Sequence, residues 1–279
     1  MTAPAQAPAV RPAAHGRRRA GFGHLVLAEL TKIRTVRSTV WSFILLVILT
    51  LGFTGLITAV TVAGWDKADA SSRAQLVSDP VGSILGAGLE FGQLTICVLG
   101  VLVLTSEYST GLIRSSLLAV PKRWPMLAAK AVGFAGLVLV IAEIVCFASF
   151  FLGSAILHSK VPVSLSDPGV LRAVAGGGLY LTGLGLFAMG VAGVIRHSAG
   201  AITAVIGFVL VLAPLATLIP DPAGKYIAAY LPTQAGQLIV QTHHQSGDVL
   251  TAWQGFGVFG LWIAVLLVLA GVLLQRRDA

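Results

Sequence analysis

Charged residues are scarce in this chain, and asparagine is missing from it. Only 11% of the 279 residues are charged, whereas an average soluble domain has about 25%. The absence of asparagine excludes N-glycosylation. With 56% hydrophobic residues and a mean hydropathy of +0.88, the chain has more apolar surface than a water-soluble core of this length can bury. A bilayer can cover that surface, so the composition predicts an integral membrane protein.

The sequence also lacks the motifs of nucleotide, metal and covalent chemistry. It has no GxxxxGK[ST] loop and no HExxH, GxSxG or CxxC motif. Cys97 and Cys146 lie in apolar runs, where we expect small buried hydrophobes and no disulfide framework. His243 and His244, with only Asp248 nearby, make a poor metal site. We therefore expect no catalytic residue, metal or cofactor on this chain.

The formal net charge of +8 comes from basic residues at the ends of apolar segments. This placement indicates membrane topology, and no basic patch with interleaved aromatic residues supports nucleic-acid binding. Residues 1–22 are rich in proline and alanine, carry three consecutive arginines and lack the apolar run of a secretory signal. We expect a disordered basic tail near anionic headgroups, followed by one transmembrane domain over residues 23–279.

Six apolar stretches are each long enough to cross a bilayer, which needs about 20 residues. Before them, residues 23–37 are charged, but Val26, Leu30 and Ile33 share one helical face. That pattern predicts an interfacial helix, the alternative being the first turns of a longer transmembrane helix. The fold class is therefore an all-α polytopic membrane protein, with spans at about 39–63, 83–105, 126–149, 171–195, 201–219 and 255–274.

The distribution of lysine and arginine predicts the orientation. With both termini inside, fourteen of the nineteen basic residues fall on the cytoplasmic side and five on the outer side. Because basic loops are retained in the cytoplasm, we expect a multi-pass protein of the plasma membrane with both termini cytoplasmic. Glycines at 82 and 86, and at 176–178, 183 and 185, indicate places where helices approach closely.

A short polar segment joins the second and third predicted spans. After Ser106 and Glu107, residues 110–119 are compatible with a helix, and Val120 and Pro121 close it. Leu112, Ile113 and Leu117 fall on a shared face, which indicates a short amphipathic helix held between two spans. Two interpretations stay open from the residues alone: a rigid link on which a soluble partner pushes, or an amphipathic turn that covers the end of the bundle.

Residues 107–123 read Glu-Tyr-Ser-Thr-Gly-Leu-Ile-Arg-Ser-Ser-Leu-Leu-Ala-Val-Pro-Lys-Arg, and Ala-Ala-Lys follows at 128–130. This stretch resembles the first cytoplasmic loop of ABC-2 type transporter permeases. The Glu-Leu-Thr-Lys-Ile-Arg run at 29–34 is similar to the interfacial helix of that family, and the Arg-Arg-Asp-Ala ending is similar to endings common in it. The resemblance covers about residues 25 to 279.

The resemblance implies a permease subunit of an exporter, with six transmembrane helices and no ATPase domain. It implies that two such subunits pair, as a homodimer or heterodimer, and that each leans on a separate cytoplasmic ABC ATPase. ATP and Mg²⁺ would bind that partner, in keeping with the absent phosphate loop. The loop would be the coupling helix, with its contacts expected at Glu107, Gly111, Arg114, Leu117 and Pro121. Glu107 would be a polar anchor, Gly111 a helix-start glycine and Arg114 a basic contact.

Glu90 and Gln93 lie inside the second predicted span, and Glu143 lies inside the third. A carboxylate at membrane depth is costly and usually faces the bundle interior, so these residues are candidates for a translocation path or a site for cationic cargo. The alternative is a protonated acid with local hydrogen-bond partners. The apolar spans favour an amphipathic or lipid-like cargo. Rival functions are an ion-coupled secondary transporter, a membrane enzyme, and an accessory or immunity membrane protein.

Overall fold

A computed structural model describes residues 21–109, 111, 123–216, 218–245 and 247–276, and within these ranges the chain is helical, with no strand. Short 3₁₀ turns at Trp65–Lys67 and Leu238–Val240, and a π-helical segment at Gly207–Leu212, complete the regular structure. The helices in chain order are α1 (Phe22–Thr35), α2 (Arg37–Ala63), α3 (Ala70–Ser78), α4 (Pro80–Ser109), α5 (Arg123–Leu157), α6 (Val170–Ile195), α7 (Ser198–Ile206), α8 (Ala213–Ala216), α9 (Ala223–Ala229), α10 (Pro232–Gln237) and α11 (Ala252–Arg276).

Five of these helices, α2, α4, α5, α6 and α11, are long and apolar enough to cross a membrane. Each contains one of the predicted spans and extends it by up to eight residues at an end. The sequence-based expectation of an all-helical chain, with helices long and apolar enough to span a membrane, is thus confirmed for the described residues.

The stretch predicted as the fifth span, 201–219, is not one long α-helix. The backbone runs from α7 through the π-helical segment Gly207–Leu212 into α8, so that helical structure is continuous over 198–216 in three pieces. Pro214 lacks the N–H that would bond to the carbonyl of residue 210, and its ring disfavours regular α-helix in the preceding turn. Prolines and π segments are both known places where helices bend.

Helix α6 lies at the centre of the bundle. In its most apolar window 72% of the residues are buried, whereas the corresponding share is 22% in α2 and in α11. It packs against α4, α5 and α11, and glycines on several of its faces make this possible. At Gly185 it meets Gly100 of α4, where a Cβ on Gly100 would lie 2.3 Å from the Gly185 carbonyl oxygen. The predicted close packing around 176–185 is therefore present.

Helix α2 packs on α4 through threonine and glycine. Leu46, Thr50, Thr54 and Thr58 lie at intervals of four residues on its buried face. Gly88 and Gly92 of α4 receive this face, since a Cβ on Gly88 would come within 2.2 Å of Thr54 Oγ1. The GxxxG step of the sequence at Gly82 and Gly86 has a different environment, and a Cβ added to Gly86 would meet nothing within 4 Å.

Helix α1 is separate from α2. Val36 between them adopts an extended conformation (φ −78°, ψ 118°), which breaks the helical ladder. Residues 23–37 are therefore not the first turns of a longer transmembrane helix. Instead, α1 crosses the beginning of α5, where Gly133 lies under the backbone of Val26 and the side chain of Leu30.

The chain threads back and forth between two ends of the bundle. One end, the Asp79 end, gathers the starts of α4 and α6 with the segment 241–242: Thr242 donates to Asp79 Oδ1 at 2.8 Å, and Arg172 donates to the Thr242 carbonyl at 3.0 Å. The other, the Glu107 end, gathers the end of α4 with the start of α5 and the end of α6. Each long helix therefore connects these two ends.

We predict that Gly100→Ala destabilises the protein by about 1–3 kcal/mol, because its new Cβ would overlap the α6 backbone at Gly185. The measurement is the melting temperature of the purified protein in detergent. Gly86→Ala, on the same helix, is the control: it has open space and gains up to about 1 kcal/mol in helix propensity. Equal melting temperatures for the two variants would contradict the close contact between α4 and α6.

Candidate functional site

Four charged side chains from three helices meet at the Glu107 end: Glu29, Lys32, Glu107 and Lys130, the four-charge cluster. Lys130 Nζ of α5 donates to Glu107 Oε1 of α4 at 2.9 Å and also bonds to Glu29 Oε2 of α1. Lys32 donates to the same Glu107 oxygen and lies 3.9 Å from Glu29. The cluster therefore ties α1, α4 and α5 together.

Burial makes this cluster more than a surface ion pair. Lys130 is 1% exposed and Glu107 is 2% exposed, while only Lys32 keeps substantial contact with solvent. Two acids and two bases balance each other, so the cluster has no net formal charge. Removing ions from water is costly, and close mutual pairing is what offsets that cost. Loss of one member leaves an uncompensated buried charge.

A cavity of about 350 Å³ opens beside the cluster between α1, α2 and α4. Lys32, Glu107 and Lys130 form its charged wall, while Ile33, Leu99 and other apolar side chains form most of the remainder. Glu107 Oε2 is buried and has no hydrogen-bond partner among the described residues. Among the described residues, the Glu107 carboxylate is thus bonded through Oε1 only.

The five positions predicted for coupling are placed only in part. Glu107 is directed at Lys32 and Lys130 within the chain. Gly111 is exposed and left-handed (φ +70°), and its N–H donates to the Tyr108 carbonyl at 3.4 Å, so it forms the turn just after α4. Arg114, Leu117 and Pro121 lie outside the described residues.

Two arginines fix the last turn of α11 at the same end. Arg196 donates to the Leu273 carbonyl at 2.7 Å, and Arg123 donates to the carbonyls of Leu274 and Gln275. These carbonyls belong to the last turn of a helix, where backbone acceptors have no partner within the helix and the dipole favours a cation. The Arg196 guanidinium also lies 5.3 Å from the ring centroid of Tyr108.

Of the three polar residues predicted for a translocation path, Glu90 and Gln93 are joined by a hydrogen bond and Glu143 lies apart from them. Gln93 Nε2 donates to Glu90 Oε2 at 2.7 Å, and the hydroxyl of Tyr180 on α6 donates to Gln93 Oε1 at 2.8 Å. Gln237 Nε2 reaches the same hydroxyl at 3.4 Å, which completes a polar chain from Glu90 to Gln237. Tyr180 is fully buried and Gln93 is 2% exposed, so this chain runs through the bundle interior.

Glu143 is not part of that chain of hydrogen bonds. It lies against Gly178 of α6, where an added Cβ would come within 2.5 Å of the carboxylate. Its Oε2 atom is buried and has no hydrogen-bond partner in the described part of the chain. The structure therefore joins Glu90 with Gln93, as the shared helix face predicts, and leaves Glu143 apart.

Sequence reasoning missed the partners that complete these sites. Lys130 supports the predicted orientation, and both Glu29 and Lys130 belong to the resemblance, but neither is among the predicted site residues. A lysine within an apolar run nevertheless requires a counter-ion. Tyr180 and Gln237 are far from Glu90 in sequence, so no local pattern pairs them. Cys97 and Cys146 are free and buried, as expected. Among the described residues no group of three His, Cys, Asp or Glu side chains is arranged to hold a metal ion.

Comparison with protein-family models gives no match for this chain. Comparison with curated proteins gives no significant match either. Neither comparison identifies a family for the chain, so the resemblance at residues 107–130 stays a prediction from the sequence pattern.

We predict that Lys130→Met lowers the unfolding free energy by about 3–5 kcal/mol, because it leaves the buried Glu107 carboxylate without its main counter-ion. Lys160→Met is the matched control: Lys160 lies 3.5 Å from Asp66, whose side chain is 89% exposed, and such pairs contribute about 0–1 kcal/mol. Thermal unfolding of both variants in the same detergent measures the difference. A Lys130→Met protein as stable as Lys160→Met would show that the cluster contributes little.

Proposed function

We propose that the chain is the permease subunit of an ATP-driven exporter of the ABC-2 type, powered by a separate cytoplasmic ATPase. The observation that carries this proposal is the four-charge cluster. Glu107 precedes the segment 110–122 and Lys130 follows it. Lys130 Nζ donates to Glu107 Oε1 at 2.9 Å, so the chain on the two sides of this segment is held together. A partner that displaces this segment would move α4 and α5 together and carry α1 with them.

The proposed topology has six spans with both termini in the cytoplasm. Besides the five long helices, the helical stretch over 198–216 has 19 residues, which at about 1.5 Å per residue spans about 28 Å, close to the thickness of the hydrocarbon core. Lys130, Arg123, Arg196 and Arg276 all lie at or near the Glu107 end. By the positive-inside rule we place this end in the cytoplasm, and we propose that the membrane is the plasma membrane.

The proposed cycle is a shift between two populated states. Binding of ATP and Mg²⁺ closes the ATPase, and the docked 110–122 segment transmits that movement to α4 and α5. A second permease subunit completes the route for cargo. A shift of this kind requires that the ATPase bind the two states of the permease with different free energies. The four-charge cluster would then convert displacement of a loop into displacement of helices.

A second candidate is an ion-coupled secondary transporter. The polar chain from Glu90 to Gln237 favours it, since an acid linked to buried hydrogen-bonding groups is typical of proton-coupled sites. The two candidates differ in energy source. Secondary transport would proceed in vesicles with a proton gradient and no ATPase, and Glu90→Gln would abolish it.

We predict that a cysteine introduced at position 115 is labelled by a membrane-impermeant maleimide in inside-out vesicles and not in intact cells. The background is low because both native cysteines are buried. Ser71→Cys, in the exposed helix α3 on the opposite side of the proposed topology, is the control and should be labelled in intact cells. Labelling of Ser115→Cys in intact cells would exclude a cytoplasmic coupling segment.

We also predict that the purified chain hydrolyses no ATP and co-purifies from its native membranes with a cassette ATPase whose turnover is sensitive to vanadate. Arg114→Ala is expected to reduce the yield of the complex and its ATP-dependent export without lowering the melting temperature of the permease. Glu107→Ala should lower the yield of the complex, its export and also the melting temperature of the permease, because Glu107 is part of the buried cluster. Full export by the double variant Glu107→Ala and Arg114→Ala would refute the coupling assignment.

A further inference from the structure

A polar cleft of about 740 Å³ lies at the Asp79 end, between α3, α4 and the segment 237–245. Its volume falls within the range of about 300–1,000 Å³ that is typical of small-molecule sites. Four glutamines and two acids contribute to its wall: Gln75, Gln237, Gln241, Gln245, Asp79 and Glu90. The remaining polar wall includes Ser78, Ser83, His243 and His244.

The described lining of this cleft has a negative formal charge when its two histidines are counted as neutral. Among these residues are two carboxylates and neither lysine nor arginine. In the described ranges neither Asp79 nor Glu90 takes part in an ion pair, and the nearby Arg172 donates to the carbonyls of Gln241 and Thr242. Asp79 is half-buried and its Oδ1 accepts from the Gly82 N–H at 3.0 Å and from the Thr242 hydroxyl at 2.8 Å, whereas Glu90 is exposed to the cleft. Glu90 is therefore the acid best placed to meet a ligand.

The position of Glu90 requires explanation. It lies ten residues into α4, about 15 Å from the start of that helix, and it is exposed to the cleft. An acid at membrane depth is costly unless a partner compensates it. The structure holds its carboxylate in place through Gln93 and the fully buried Tyr180, and this chain returns to the cleft wall at Gln237. Glu90 is thus preorganised for a partner outside the chain.

We infer that this cleft binds an organic cation: a molecule with an ammonium group for Glu90 and with hydroxyl or amide groups for the surrounding glutamines. Glutamine amides both donate and accept hydrogen bonds, so they suit a ligand with many polar groups. A hydrocarbon-rich ligand would leave these amides unsatisfied. This inference deepens the proposed function by naming a cargo class, and it rests on that function only for the movement of the ligand across the membrane.

The experiment measures equilibrium binding to the whole purified chain in nanodiscs of phosphatidylcholine, with no ATPase present. Three probes separate the contributions of charge and hydrogen bonding: kanamycin has ammonium and hydroxyl groups, its fully N-acetylated derivative keeps the hydroxyls without the charge, and tetraphenylphosphonium has charge without donors. We expect one kanamycin per chain and about tenfold or weaker affinity for each of the other probes. Equal affinity for either of the others overturns the assigned ligand chemistry.

The variants locate the site. Glu90→Gln keeps the size of the side chain and removes its charge, and we expect it to bind kanamycin about tenfold more weakly. Asp66→Asn is the matched control, because Asp66 is an exposed acid outside the cleft lining, and its affinity should equal that of the unmodified chain. Unchanged binding in Glu90→Gln, or an equal loss in Asp66→Asn, overturns the site.

The binding experiment tests the cleft, and the ATPase experiment tests the proposed function. If kanamycin does not bind through Glu90, the ligand inference is refuted, while the ATPase complex and its export can still be found. Conversely, a chain that binds kanamycin through Glu90 but never associates with an ATPase would retain the site and refute the exporter.

Discussion

The buried ion pair between Glu107 and Lys130 is the interaction on which the architecture of the Glu107 end depends. The two residues are 23 positions apart in sequence, and the chain between them leaves α4 and returns as α5. Their pairing at 2.9 Å fixes the ends of these helices relative to each other. Glu29 and Lys32 add α1 to the same cluster, so the formal charge is balanced where solvent is nearly excluded.

Close packing around α6 is the second constraint, and it acts along the whole bundle. Side chains on α4, α5 and α11 approach the α6 backbone because glycines leave room for them. Lipid tails are as apolar as the helix surfaces, so contact area between backbones has to hold the helices together in place of the hydrophobic effect. Helix α4 runs from the four-charge cluster at the Glu107 end to the cleft at the Asp79 end, and it packs closely on α6 between them.

The sequence predicted the parts of this structure that follow from local apolar length. The long helices match the predicted spans within several residues, since a run of about 20 apolar residues has few stable alternatives to a membrane helix. The count of six spans stays a prediction, because the π segment Gly207–Leu212 divides the helical structure over 198–216 into three pieces. Gly82 and Gly86 matched a packing motif, but Gly88 and Gly92 make the contact, because helix rotation decides which glycine faces a neighbour.

The sequence by itself determined that the chain is helical and apolar enough for a membrane, and it singled out Glu90, Gln93 and Glu107 as unusual polar residues. Only the tertiary structure decided their partners. It brought Lys130 and Glu29 to Glu107, and Tyr180 and Gln237 to Gln93, and it left Glu143 apart. The physical reason is that helix formation depends on residues three or four positions apart, whereas the pairing of buried polar groups depends on how separate helices are rotated and crossed against one another.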